Sequence, residues 1–180
     1  TNQEEPSYAH SVGAVYRNSD PSDILVTAAG GLVGEVVQVW KPKQLNTFET
    51  EWGFSCMGYE ISGALGIKMA KPDQEVVVFV GDGSYLLNNT DIYSSVIYDQ
   101  KLIIIVCDNG GHMVINRLQL AKGGKEYICN LRAARATNLK FVDFENHAKS
   151  MGANAETVSS TSELEACLLY TSPSPRDALT

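Results

Sequence analysis

Two short stretches of this chain combine oxygen ligands with glycines: Gly81-Asp82-Gly83-Ser84 and Asp108-Asn109-Gly110-Gly111. An aspartate carboxylate and an asparagine carbonyl are hard oxygen donors of the kind magnesium takes, together with water and the phosphates of a ligand. Gly81 and Gly83 permit sharp turns and close approach of backbone to a phosphate. Gly83 and Ser84 can offer it N–H and O–H donors. Taken alone, a Gly-Asp-Gly is most often a turn. The spacing changes that reading. Residues 84 through 107, 24 in all, separate Gly81-Asp82-Gly83 from Asp108-Asn109, which fits one helix plus one strand returning to the same sheet rim.

The elements around the two stretches are those that would position them. Glu75–Val80 and Leu102–Cys107 are continuous apolar, β-branched runs, expected as central parallel strands buried on both faces. Asp23–Thr27 reads as a further short strand, followed by a turn at Ala29-Gly30-Gly31 and a helix from Leu32 to Trp40 closed by Pro42. Asn46–Thr50 is expected to be extended. From Met57 to Lys71, Ile61, Leu65 and Met69 recur at helical spacing among small residues, and Pro72-Asp73 ends the element. Asn88–Tyr98 reads as a helix capped by Asn88 or Asn89. Asp143 caps a helix to Met151, stopped by Gly152. Ala155–Val158 is expected as a last strand, and Ser162 with Glu165 as the start of a helix that does not develop. Alternating strands and helices with short loops predict an α/β fold, a parallel sheet with helices on both faces. In such a sheet ligands bind outside the carboxyl ends of the strands. If the two central strands are neighbours, Asp82 and Asn109 converge there.

Bulk properties narrow the function classes. The chain has 180 residues, a formal net charge of −7, 44% hydrophobic and 19% charged residues, ordinary for one globular domain. Without a basic cluster, nucleic acid is not an expected partner. The longest apolar runs are far too short to span a bilayer, so no membrane role is expected. Cys56, Cys107, Cys129 and Cys167 form no C-x-x-C pair; reduced thiols in a cytoplasmic protein are the expectation. The chain begins at Thr1 without methionine, as an internal fragment would. Residues 1–22 read as a lead-in and 23–166 as the domain, truncated at its end. The Pro/Ser-rich tail 167–180 resembles the translation of a sequencing-library adapter and is expected to be non-native, with a genuine disordered terminus as the other reading.

The spacing of Gly81-Asp82-Gly83 and Asp108-Asn109 resembles the motif of the thiamine-diphosphate enzyme superfamily, in its diphosphate-binding module. The resemblance implies thiamine diphosphate and magnesium as cofactors. Asp82 and Asn109 would be the metal's side-chain ligands, and the backbone carbonyl of Gly111 its third. Asp108 stands where the first Asn of the usual pair would be. Phe54-Ser55-Cys56-Met57-Gly58-Tyr59 occupies the place of the segment that holds the aminopyrimidine. Met57 would be the apolar wedge, and its N–H, with the Ser55 carbonyl, would bond the pyrimidine. Ordinary core packing is the competing use of a methionine. Gly30-Gly31-Leu32 matches the loop that contacts the diphosphate, implicating Gly31 and Leu32.

Within the superfamily, Glu51–Glu60, Val80–Leu86 and Cys107–Gly111 with Ile115-Asn116 and Leu118-Gln119 are most similar to the trihydroxycyclohexane-1,2-dione hydrolases of myo-inositol catabolism. This implies hydrolytic C–C cleavage of a cyclic, polyol-derived 1,2-dione. It also implies a pyrimidine-binding domain elsewhere in the full chain, which supplies the activating glutamate, and a second subunit. Glu49, Glu51 and Glu60 are not that glutamate; Glu51 and Glu60 either line the substrate side or serve as solvated or structural carboxylates. Of the three histidines only His112 falls near the site, where it could touch substrate. Another thiamine-diphosphate carboligase or decarboxylase, acetolactate-synthase-like, remains an alternative. So does a non-catalytic phosphate-ligand-binding α/β module.

Overall fold

The apolar runs become the strands of one parallel sheet. The computed structural model describes residues 6–133 and 141–171. Its elements are α1 (Tyr8–Arg17), β1 (Ile24–Thr27), α2 (Gly30–Val39), β2 (Phe48–Thr50), α3 (Tyr59–Ala70), β3 (Val76–Gly81), α4 (Asp82–Leu87), α5 (Asp91–Ile97), β4 (Ile103–Cys107), α6 (Met113–Ala121), a 3-10 turn (Leu131–Ala133), α7 (Phe144–Ser150) and α8 (Thr161–Thr171). The strand order is β2-β1-β3-β4, all parallel. Among the described residues, no helix is long and apolar enough to cross a membrane.

Alternation along the strands divides the core between two faces. Leu25, Val77 and Phe79 point to the face covered by α1, α2 and α8, where Val12, Val15, Leu32, Val36, Trp40, Leu164 and Leu168 are buried. Ile24, Val26, Val76, Val78 and Val80 point to the other face, against Ile61, Ala64, Tyr85 and Ile92, with Phe144 and Met151 packed around them. Helices on both faces explain why β3 is apolar at every position from Val76 to Val80.

The structure departs from the expected elements in five places. β4, expected as a central strand buried on both faces, is the edge strand of the described sheet and is buried only at Cys107. The stretch read as a lead-in contains α1: Ser7 caps it by accepting the His10 N–H at 3.4 Å, and Val12, Ala14 and Val15 are buried. Helical structure begins at Asp82, directly after β3, and a break at Asn88–Thr90 separates α4 from α5. Residues 155–158 form no strand; the Thr157 N–H donates to Glu145 Oε2 at 3.0 Å instead of to a neighbouring strand. The last helix does develop. Ser160, rather than Ser162, accepts the Glu163 N–H at 3.2 Å, and α8 continues to Thr171. Its Leu164 and Leu168 pack on the sheet beside α1, and Glu165 pairs with Arg17 at 2.6 Å. Residues 167–171 of the stretch read as a non-native tail thus lie in α8, whereas 172–180 fall outside the described residues.

Candidate functional site at the carboxyl rim of the sheet

β3 and β4 are neighbours, with Gly81 opposite Cys107 in the ladder. That register places Asp82 and Asn109 just past the same rim. Asp82 is 1% exposed. Burial pushes its carboxyl above the usual range, and the charge of nearby Asp108 pushes the same way; N–H groups of Gly83 and Gly111 oppose them.

The loop after β4 is shaped to present Asn109. Asp108 Oδ1 accepts the Gly110 N–H at 2.8 Å, a tight turn closed by the side chain. Gly111 then adopts φ 131°, and a Cβ there would fall 2.4 Å from the Cys129 carbonyl oxygen. Only glycine fits that approach. The Gly111 carbonyl, implicated as a metal ligand, accepts the Met113 N–H at 3.0 Å, which leaves it a second lone pair. The Asn109 amide nitrogen donates to the Tyr8 hydroxyl from α1.

Buried polar atoms are nearly always hydrogen-bonded, so those that are not mark a demand for something else. Asp82 Oδ1 and Asn109 Oδ1 are both buried without a hydrogen-bond partner. Thr27 Oγ1 and Thr50 Oγ1, at the ends of β1 and β2, are in the same condition. Four such oxygens thus lie at the rim where the strands end; the others among the described residues are on Glu75, at the opposite end of β3, and on Asn116 and Gln119 of α6. A carboxylate and an amide oxygen with free lone pairs are the donor set a magnesium ion takes. Among the described residues there is no cluster of three His, Cys, Asp or Glu side chains fit to hold a metal. The rest of such an ion's shell would have to come from backbone, water and phosphate oxygens, as magnesium's usually does. The residues present fit the group.

The other expected site residues surround this pair. Gly81 has ordinary extended φ and ψ (−75°, 152°), so no turn demands glycine there. A Cβ at Gly81 would meet no atom within 4 Å, whereas at Gly83 it would fall 2.6 Å from His112 Nδ1. The imidazole of His112 thus lies on the Gly83 backbone, beside the rim. His10 supports the cap of α1, and His147 bonds the Tyr85 hydroxyl at 2.9 Å; neither faces the pair. At Gly31 a Cβ would fall 2.7 Å from an Arg117 guanidinium nitrogen. Leu32 is buried in the core, so it can face the rim only through its backbone.

The loop from β2 to α3 carries Ser55 and Met57. Glu51 organises it, its carboxyl accepting the N–H groups of Phe54 at 3.2 Å and Cys56 at 2.9 Å. Hydrogen bonds from Cys56 and then Phe54 hold the Glu51 carboxyl below the usual range. Ser55 takes φ 52° within this turn. Met57 is 38% exposed, so it is not a core residue of this chain. Glu60 does not line an open surface: it is 1% exposed and hydrogen-bonded to Ala29, Gly58 and Ser84. The Ser84 hydroxyl is therefore engaged inside the protein, leaving its N–H as the donor for an external phosphate. Tyr8, Arg117 and the linking role of Glu60 carry no motif signal; only the folded arrangement brings them together.

The rim of this α/β sheet offers an Asp-Asn oxygen pair of the kind a divalent cation takes, beside the open backbone of Gly81. Residues 28–170 match the family described as thiamine pyrophosphate enzyme, C-terminal TPP binding domain. The chain belongs to that family, and thiamine diphosphate is the cofactor such a domain binds. It is 40% identical over 149 residues to a 3D-(3,5/4)-trihydroxycyclohexane-1,2-dione hydrolase of Halalkalibacterium halodurans, covering 83% of this chain and 23% of that protein. A hydrolase of the same description from Lacticaseibacillus casei is 42% identical over 142 residues, 79% of this chain and 22% of the relative. The chain thus spans under a quarter of the length of these relatives. Among solved structures, the thiamine diphosphate-dependent 4-hydroxybenzoylformate decarboxylase of Rhodococcus jostii RHA1 superposes with a TM-score of 0.82 at 16% identity, over 95% of this chain and 31% of that one. At that identity the likeness is one of fold.

Proposed function

We propose that this chain is the diphosphate-binding module of a thiamine-diphosphate- and magnesium-dependent hydrolase that cleaves a C–C bond of a cyclic, polyol-derived 1,2-dione. The observation that carries the cofactor site is the pair of unpartnered, buried oxygens on Asp82 and Asn109 at one sheet rim. The dione rests on similarity to relatives named as trihydroxycyclohexane-1,2-dione hydrolases, at 40% and 42% identity. Asp82, Asn109 and the Gly111 carbonyl hold the magnesium ion. Backbone at Gly31, Leu32, Gly81, Gly83 and Ser84 faces the diphosphate. The Ser55 carbonyl and the Met57 N–H take the aminopyrimidine, with the Met57 side chain as the wedge beneath it.

When bound, the cofactor supplies a carbanion able to add to a carbonyl and accept the electrons of the breaking C–C bond. The residues of this chain bind and orient it; Asp82 and Asn109 anchor the metal and the diphosphate and are not the proton-transfer machinery. His112, lying on Gly83, is the side chain placed to contact substrate. The activating glutamate belongs to a pyrimidine-binding domain outside this chain, and the complete site forms with a second subunit of a cytoplasmic enzyme.

Product analysis tests the reaction. The intact protein with thiamine diphosphate and magnesium should convert the cyclic trihydroxy-1,2-dione into an open-chain deoxy sugar acid. Magnesium-dependent cofactor binding without ring opening would point to a carboligase or decarboxylase instead.

A further inference from the structure

Glu60 is a carboxyl buried to 1% exposure in the first turn of α3, and the functions assigned above leave it unused. Its Oε1 accepts the Ala29 N–H at 3.2 Å. Its Oε2 accepts the Gly58 N–H at 2.9 Å and the Ser84 hydroxyl at 2.8 Å. These donors come from three separate segments: the turn before Gly30-Gly31, the loop that ends in Met57, and the β3–α4 junction just after Asp82-Gly83. The Ser84 oxygen closes the network by accepting the same Gly58 N–H at 2.8 Å.

Gly58 is held from its other side as well. Its carbonyl accepts the Asn88 side-chain N–H at 3.1 Å, and Asn88 also donates to Ser62 at 2.9 Å. Gly58 has φ 93°, and a Cβ there would fall 2.8 Å from Asn88 Cβ. The peptide link that follows Met57 is therefore fixed at its N–H by Glu60 and Ser84, and at the next carbonyl by Asn88. Only an acceptor-only group with two oxygens can serve all three donors at once.

We propose that Glu60 is a positioning residue that fixes the spacing between the loop that receives the cofactor's pyrimidine and the rim that receives its diphosphate. This rests on the site assignment under Proposed function. A ligand that spans both half-sites gains from having them preset, because the ordering is done before it binds. A ligand that fills only the diphosphate half does not.

Glu60→Gln separates the two. The amide keeps the shape and one acceptor oxygen, but turns its NH2 toward a backbone N–H, so one arm of the network fails. Calorimetric titrations of the intact protein, pyrimidine-binding domain included, would use magnesium with thiamine diphosphate and magnesium with inorganic diphosphate. The variant should bind thiamine diphosphate about tenfold more weakly, and inorganic diphosphate within about twofold of wild type. Equal weakening of both, or no change in either, would overturn the proposal by making Glu60 a plain structural contact or a bystander. A wild-type protein that binds neither ligand with magnesium would sink the site assignment and this proposal with it. Asn88→Ala releases the carbonyl side of Gly58, together with Ser62, but leaves the Glu60 network intact, and should shift the same ratio, which keeps the test open if Glu60→Gln does not fold.

Discussion

Replacing Gly81 by alanine separates the needs of the fold from the needs of the ligand. Gly81 ends β3 with a φ of −75° and a ψ of 152°, which any residue adopts. A methyl built on it meets no protein atom within 4 Å. Restricting the unfolded chain should stabilise the protein by about 0.4–1 kcal/mol. Gly81 also sits at the N-cap of α4, where alanine is worse than glycine by roughly half a kcal/mol. The two effects nearly cancel, so the melting temperature without cofactor should move by no more than about 2 °C. The added methyl does fill the open space beside Asp82, where the proposed diphosphate lies. Thiamine diphosphate affinity in the presence of magnesium should drop by about tenfold or more, equivalent to about 1.4 kcal/mol. Thermal melts and calorimetry on the same sample read both quantities. Unchanged affinity at unchanged stability would refute the placement of the diphosphate at Gly81. A melting temperature lowered by more than about 8 °C would refute the claim that the space is free.

Gly111→Ala is the opposite case: at φ 131°, with a methyl 2.4 Å from the Cys129 carbonyl, it should cost about 3 kcal/mol of stability. Urea denaturation would show it, and an unshifted midpoint would contradict the loop geometry. Leu168→Ala should cost about 2–4 kcal/mol, since that side chain is buried between α8 and the core; a silent substitution would mean the segment is not packed on the domain. The pH dependence follows from Asp82, whose carboxyl is raised by burial and by Asp108. In the metal-free protein its contribution to stability is therefore fully present below the unfolded pKa and lost as pH rises through the folded one. Magnesium needs the charged form, so its stabilising effect should grow with pH as Asp82 ionises, with a midpoint above the usual carboxylate range. A melting-temperature increment that is flat with pH, or that persists in Asp82→Asn, would contradict this.

Legibility in the sequence followed burial. Val76–Val80 announces itself because a strand covered on both faces has no solvent side to carry polar residues; Ile103–Cys107 carries the same apolar pattern although β4 ends the described sheet and is buried only at Cys107. The convergence of Asp82 and Asn109 could be read from the length of one crossover, and the Gly81–Cys107 pairing agrees with it. Helix α1 was hidden because Ser11 and Gly13 dilute its apolar face, and its burial depends on α2 and α8 being in place. Residues 155–158 carry a strand-like pattern with no neighbour to pair with; a side chain, Glu145, takes the Thr157 N–H. Glu60 was least legible. A glutamate in a helix's first turn usually faces water, and the three donors that pull this one inside lie 31, 2 and 24 residues away.

Asp82 and Asn109 are proposed to hold a metal that in turn holds the cofactor. Thiamine diphosphate titrated into the intact protein, with magnesium and again after chelation, measures that directly. Binding should require magnesium and should weaken by more than about tenfold in both Asp82→Ala and Asn109→Ala. Full-strength binding by Asp82→Ala, or binding indifferent to magnesium, would contradict it.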